Sequence, residues 1–146
     1  MPDKFTIRVA KIADAAALTR LNILFNGSSD PAEVMAQRLA DPRQVEIALV
    51  AESAGQVIGF AGLRRIPSLF YAETFAELTE LFVEERYRRQ GIGQALITVA
   101  EQLAIQGGSR ELMVLTGKDN QEAQSLYRSQ GYGNMTMRIW PCTRTF

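Results

Sequence analysis

The chain has no histidine in its 146 residues. That removes the Ser-His and Cys-His nucleophile systems and the usual zinc sites, which all need an imidazole. No metal ligands are expected, and acid–base work falls to Glu, Asp, Tyr, Lys or water. A lone cysteine, Cys142, excludes an internal disulfide and suits a reducing cytoplasm, the expected location. No apolar run approaches the roughly 20 residues that cross a bilayer. The opening Met-Pro-Asp-Lys-Phe has no signal-peptide character. Charge of one sign is also missing: 16 Lys and Arg face 16 Asp and Glu, so neither nucleic acid nor an anionic membrane is an expected partner. Repeats, linkers and low-complexity stretches are absent. What is present is an apolar fraction of 47%, enough for one globular domain over residues 1–146.

Residues 5–9 alternate apolar with polar, a short strand. Asp14 reads as the cap of a helix with Leu18, Leu21 and Phe25 on one face and Gly27 at its end. Asp30-Pro31-Ala32-Glu33 reads as a second helix start, with Met35 and Leu39 on its face and a stop at Asp41-Pro42. Strands follow at 45–52 and 57–66, joined by a turn over 53–56. Gly59 and Gly62 in the second predict a bend or a close approach by another group. A loop with Phe70 and Tyr71 leads to a third strand at 75–83, antiparallel to the last. A long helix from Ile92 carries Ala95, Leu96, Val99, Ala100 and Leu103 as its buried stripe and ends at Gly107-Gly108. Residues 111–116 form a near-continuous apolar strand. Asp119 caps a last helix with Glu122 as its capping-box partner; Ala123, Leu126 and Tyr127 share a face, and Gly131 ends it. A final strand covers 132–140. The order is β-α-α-β-β-β-α-β-α-β, a mixed α/β arrangement with helices on both sides of a sheet. The strands at 75–83 and 111–116 should be parallel across their helical crossover.

The most informative stretch is Arg88-Arg89-Gln90-Gly91-Ile92-Gly93-Gln94-Ala95. It lies between the apolar strand end Leu81-Phe82-Val83 and the long helix. Two glycines at a helix mouth turn free N–H groups outward, and the helix dipole adds positive potential. With Arg88 and Arg89 alongside, this reads as a seat for a diphosphate. A P-loop would need Lys-Ser or Lys-Thr, which the chain lacks. A Rossmann fingerprint would need a third glycine where Leu96 stands; Glu111 does lie at a ribose-binding distance, but three antiparallel strands precede the loop. Arg86, Arg88 and Arg89 read alternatively as a solvated run balanced by Glu84 and Glu85.

Arg88-x-x-Gly91-x-Gly93 after that strand resembles the acetyl-CoA signature of the GCN5-related N-acetyltransferase (GNAT) superfamily. Asn120-x-x-Ala123-x-x-Leu126-Tyr127-x-x-x-Gly131-Tyr132 is similar to its second motif. The resemblance spans essentially the whole chain. It implies the GNAT fold: an α/β (α+β) architecture with a mixed, mostly antiparallel sheet of 6–7 strands and about four helices. It implies acetyl-CoA as cosubstrate, an amine acceptor, and a homodimer as assembly, although no residue pattern carries the last. The strand at 75–83 would carry a bulge and splay from 111–116, with the pantetheine arm between them. The cofactor-binding residues it implies are Leu81, Phe82, Val83, Arg88, Arg89, Gln90, Gly91, Ile92, Gly93, Gln94, Ala95, Asn120, Ala123 and Tyr127.

Acyl transfer to an amine requires a base for the ammonium, a donor for the oxyanion and a proton for the departing thiolate. The resemblance assigns the last to Tyr127, whose phenol is protonated at neutral pH. The oxyanion donor would be the N–H of Val83 or Phe82. Glu77 and Glu80 are the candidate bases, beside direct loss of the proton to water. Their odd separation sends them to opposite faces of a regular strand, and a bulge changes that parity. Phe25, Phe70, Tyr71 and Trp140 are candidate acceptor walls. Glu73, Glu77 and Glu80 would favour a cationic amine. Core tyrosine and solvent-facing glutamates are the plain alternatives.

Overall fold

A computed structural model describes residues 4–117, 119–134 and 140–145. The elements are β1 (Phe5–Val9), α1 (Ala15–Asn26), α2 (Ala32–Ala40), β2 (Glu46–Ser53), β3 (Gln56–Ile66), β4 (Phe75–Val83), α3 (Ile92–Gln106), β5 (Glu111–Thr116), α4 (Gln121–Ser129), β6 (Gly133–Asn134) and β7 (Trp140–Thr145). The strands form one sheet in the order β1-β2-β3-β4-β5-β7-β6. The single parallel pairing among the described strands is β4 with β5; all others are antiparallel. Among the described residues no helix is long and apolar enough to cross a membrane.

Each face of the sheet carries its own core. Leu49, Ile58, Leu63, Leu78, Leu112 and Val114 meet Ile92, Leu96 and Ile97 of α3 on one face. Val50, Val57 and Phe60 meet Leu18 and Leu21 of α1 on the other. The long helix buries Ile92, Leu96, Ile97, Ala100 and Ala104. Its contact face is thus rotated from the expected stripe: Ala95, Val99 and Leu103 are half-buried flanks.

The hairpin turn between β2 and β3 is tight. Ala54 and Gly55 have φ of 48° and 77°. Two positive values in succession match the right-handed twist of the strands they join.

The helix starts fall within one residue of the sequence reading, but the expected carboxylates do not make the cap bonds, for one reason. A cap is set by which N–H groups stand two or three residues ahead of the acceptor. The Asp14 carboxylate takes the Lys11 N–H at 2.6 Å and the Arg8 guanidinium at 2.7 and 2.9 Å, so it closes the 3₁₀ turn preceding α1. Asp30 makes no cap bond and pairs with Arg38 at 2.8 Å. Asn120, not Asp119, caps α4, accepting the Ala123 N–H at 3.2 Å. The chain after α4 returns as β6, paired antiparallel with β7. Of the strand expected over 132–140, residues 135–139 lie outside the described residues, as does the side chain of Trp140.

Candidate functional site

β4 is the element on which the site is built. Its edge toward β3 is paired from Phe75 to Val83, whereas its edge toward β5 is matched only at Glu77 with Met113 and Leu78 with Val114. The strands then part, and a cleft of about 490 Å³ opens beyond the last shared pair. Leu81, Phe82 and Val83 line it on one side. Ile92, Gly93 and Gln94 from α3 and Ala123, Leu126 and Tyr127 from α4 line the other.

The mouth of the cleft is made of backbone. The first intrahelical bond of α3 is donated by the Ala95 N–H to the Gly91 carbonyl at 3.0 Å. The N–H groups of residues 89–94 meet no acceptor among the described residues. Arg89 and Gly91 adopt φ of 62° and 82°, which turns this run of amides toward one side. At Gly91 a Cβ would find open space, so glycine serves the backbone angle there. At Gly93 a Cβ would stand 3.2 Å from Leu126 Cδ2, so glycine there lets α3 and α4 close on each other. Successive outward amides at a helix start form an anion seat.

The arginines complete it. Glu84 is occupied by Arg20 at 3.5 Å and Arg86 at 3.8 Å. Arg88 and Arg89 line the cleft and meet no carboxylate within 4 Å among the described residues. The balanced-run alternative therefore holds for Arg86 alone. Arg88 also donates to the Val83 carbonyl at 2.8 Å and lies 5.5 Å from the Phe82 ring centre, tying the strand end to the loop. Two expected cofactor residues stand apart from the cleft lining. Gln90 lies on the loop behind it, and the Ala95 N–H is held inside the helix.

Tyr127 is buried within the cleft wall, edge-on to the Tyr132 ring at 6.0 Å. Asn120 lines the cleft while capping α4.

A second groove, of about 500 Å³, lies under α1 and α2. Phe82 separates the two. It stacks on Phe25 at 5.2 Å and leans on Phe60 at 6.2 Å. Phe25 faces the first cleft and Phe60 the second groove.

The two glutamates are resolved by register. Gly62 pairs with Glu80 and Leu63 with Leu78, so Thr79 is an extra residue, a β-bulge. Residues 62 and 64 of β3 share a face, and their partners Glu80 and Glu77 therefore share it too. Glu77 pairs with Arg64 at 3.4 Å and lines neither the cleft nor the groove. Glu80 stands on the groove floor. Burial lifts its carboxyl above the usual glutamate range; a hydrogen bond with Asn26 opposes this and nearby Glu46 adds to it. Glu46 and Asn26 were not picked out from the sequence. Only the pairing of β2 with β3 and the end of α1 bring them here, and no local signal marks them.

Three expected walls or charges lie elsewhere. Phe70 and Tyr71 are 84% and 75% exposed on the β3–β4 loop, at the start of β4, whereas the cleft is at its end. Glu73 pairs with Arg110 at 3.7 Å, beside that loop. The hairpin arm of β3 and β4 beyond the bulge carries all three away from the groove.

A family model described as "Acetyltransferase (GNAT) family" matches residues 15–132. The chain is 32% identical over 142 residues to an uncharacterized N-acetyltransferase, YhfO, of Bacillus subtilis (strain 168), covering 93% of this chain and 95% of that one. It is 28% identical over 131 residues to an aminoglycoside N(6')-acetyltransferase type 1 of Stenotrophomonas maltophilia, covering 87% and 85%. Among solved structures, the PaiA N-acetyltransferase of Thermoplasma acidophilum in complex with coenzyme A superposes with a TM-score of 0.79 at 18% identity, covering 98% and 99% of the two chains.

Proposed function

This chain belongs to the acetyltransferase (GNAT) family, and on that premise we propose that residues 1–146 form one catalytic domain that moves an acetyl group from acetyl-CoA to a primary amine by direct attack in a ternary complex. The observation that carries this reading is the parting of β4 from β5 with an unpaired amide run at its mouth. The donor set suits a diphosphate: six successive N–H groups from 89 to 94 and two unpaired arginines. The superposition of 98% of this chain on a protein solved in complex with coenzyme A agrees with that fit.

Acetyl-CoA supplies an activated acyl carbon with a thiolate leaving group. The protein's own residues do the rest. The amide run at 89–94, with Arg88 and Arg89, holds the diphosphate. Leu81, Phe82 and Val83 guide the arm along the parted strand, and Phe82 with Phe25 shields the thioester from water. Glu80 accepts a proton from the acceptor ammonium across the Phe82 divide. The freed amine nitrogen then bonds to the acyl carbon as the carbon–sulfur bond breaks. The N–H of Val83 or Phe82 steadies the oxyanion. Tyr127 gives its hydroxyl proton to the departing sulfur, and its phenolate is made good by the second proton that the acylated nitrogen sheds as it becomes an amide. Glu80 is preferred to Glu77 because it is half-buried on the groove floor, while Glu77 is held by Arg64. A buried carboxyl whose proton affinity is raised is the better base near neutral pH.

The acceptor is a cationic small molecule or peptide amine. The groove floor carries Glu46 and Glu80, whereas its Arg38 is already paired with Asp30. Amino sugars belong in the first panel because one relative is named for aminoglycosides.

The test mixes the protein with acetyl-CoA and a panel of aminoglycosides, polyamines, amino acids and peptide N-termini, and reads free thiol. Thiol release with at least one amine is the expected result. No release with any amine, together with a higher melting temperature in acetyl-CoA, would make the chain an acyl-CoA-binding module instead. Stabilisation by NAD and not by CoA would overturn the donor assignment itself.

A further inference from the structure

Glu46 belongs to β2, two strands from β4, yet the Thr79 hydroxyl donates to its carboxylate. Two strand spacings are about 9.5 Å, so both side chains must reach over β3 to meet. Gly62 is the β3 residue they pass over. A Cβ there would stand 2.8 Å from Glu46 Oε1 and collide with the Thr79 hydroxyl. The absent side chain is what lets the bridge form.

The bridge is attached to the bulge. Thr79 is the extra residue of β4, and Glu80 is the next. A bulge turns two successive side chains toward one face and re-aims them. Holding Thr79 from β2 therefore fixes the direction of Glu80.

We propose that Glu46, bridged to Thr79 across Gly62, is a positioning residue that aims Glu80 into the acceptor groove. This rests on the assignment of Glu80 as the base. The two carboxylates then divide the work. Glu46 lines the same groove as Glu80 and is where the incoming ammonium is held. Glu80 is half-buried and lies next to a like charge, so it takes the proton. Neighbouring carboxylates in unequal surroundings commonly divide in this way.

The other charged groups around Glu80 are already engaged. From α2, Arg38 is paired with Asp30; beyond its end, Asp41 is paired with Arg43. On the same sheet face, Arg64 is paired with Glu77. From α1 comes the neutral Asn26, which also donates to Asn22 at 2.6 Å. Glu46 is thus the one charged group facing Glu80 that has no ionic partner within 4 Å among the described residues.

The experiment needs no acceptor. Carboxyl-labelled glutamate is introduced and the Glu80 carboxyl signal, assigned by its loss in Glu80→Gln, is titrated by NMR in wild type, Glu46→Gln and Thr79→Val. In wild type Glu80 titrates above ordinary glutamate. In Glu46→Gln its midpoint falls by about one pH unit, because a like charge has gone. Thr79→Val, which keeps the side-chain shape, moves the midpoint in the same direction by less. An unchanged midpoint in both variants overturns the proposal, whichever residue is the base. The pH dependence of kcat/KM, taken with the best amine of the panel, separates the two readings. Glu80→Gln should abolish the acidic limb and Glu46→Gln should move it to lower pH. If the limb survives Glu80→Gln while the NMR midpoint shifts, the base assignment fails and the bridge stands. If the limb vanishes in Glu80→Gln but stays in place in Glu46→Gln, the bridge fails and the base stands.

Discussion

The cleft under α3 and α4 offers a ligand mostly backbone: six amide N–H groups and a strand edge left open by β5. The groove under α1 and α2 offers side chains: Glu46, Glu80, Asn22 and Phe60, drawn from four different elements. One ring, Phe82, closes both. A backbone seat recognises what every donor shares, a diphosphate and an extended arm. A side-chain groove can change with each substitution, which suits the selection of an acceptor in the proposed reaction. The contrast also separates two kinds of fragility. The cleft should resist side-chain truncation and be sensitive to backbone angle; the groove should behave the other way.

The sharpest attack on that contrast is Glu80→Gln. It should lower kcat/KM for the amine by roughly 10²-fold or more while the dissociation constant of CoA stays put. Because Glu80 takes up its proton above the ordinary glutamate range, wild-type kcat/KM should fall as pH drops through that raised value. A CoA affinity that falls in step with turnover would erase the division between the two sites.

Tyr127→Phe probes the one side chain in the backbone cleft with chemistry assigned to it. Turnover should drop by about 10²-fold, with CoA still raising the melting temperature. Unchanged turnover would reduce Tyr127 to a packing residue against Tyr132.

Gly91→Val asks whether the cleft depends on backbone shape. Its φ of 82° is strained for a β-branched residue, although the space beside it is open. CoA affinity should weaken by about tenfold, reflecting roughly 1–2 kcal/mol of strain. Calorimetry with CoA reads this directly; an unaltered affinity would show that the amides need no such angle.

The smallest effect tests a place outside both sites. Asp14, under Arg8, has its carboxyl held below the ordinary range, chiefly by the hydrogen bond from Arg8. Its stabilising contribution is complete above the unfolded carboxylate value, about pH 4, and is lost as pH falls through the lower folded value. Asp14→Asn should cost about 1 kcal/mol at pH 7, and the gap to wild type should close in acid. Chemical denaturation at several pH values measures it, and kcat/KM should not move.

The unpaired amide run at the start of α3 was legible because it is local. Gly91 and Gly93, two arginines and a helix start lie within a few residues, and their chemistry does not depend on what folds against them. The groove under α1 and α2 was not. Phe70 and Tyr71 looked like walls because they are aromatic and near in sequence, but the β3–β4 arm carries them to the far end of β4. Asp14 and Asp119 looked like caps because they precede apolar stripes, yet one residue of offset gives the cap of α4 to Asn120.

The sequence by itself determined the order of elements as far as α4, the turn at Ala54-Gly55 and the unpaired amides at the start of α3, since hydrophobic period and backbone preference act over a few residues. The tertiary structure alone decided which glutamate lines the groove under α1 and α2. That choice turns on one extra residue, Thr79, and on a glycine in the neighbouring strand that lets Glu46 reach it. A single-residue shift in strand pairing reverses every side chain beyond it, and pairing is a property of two strands together.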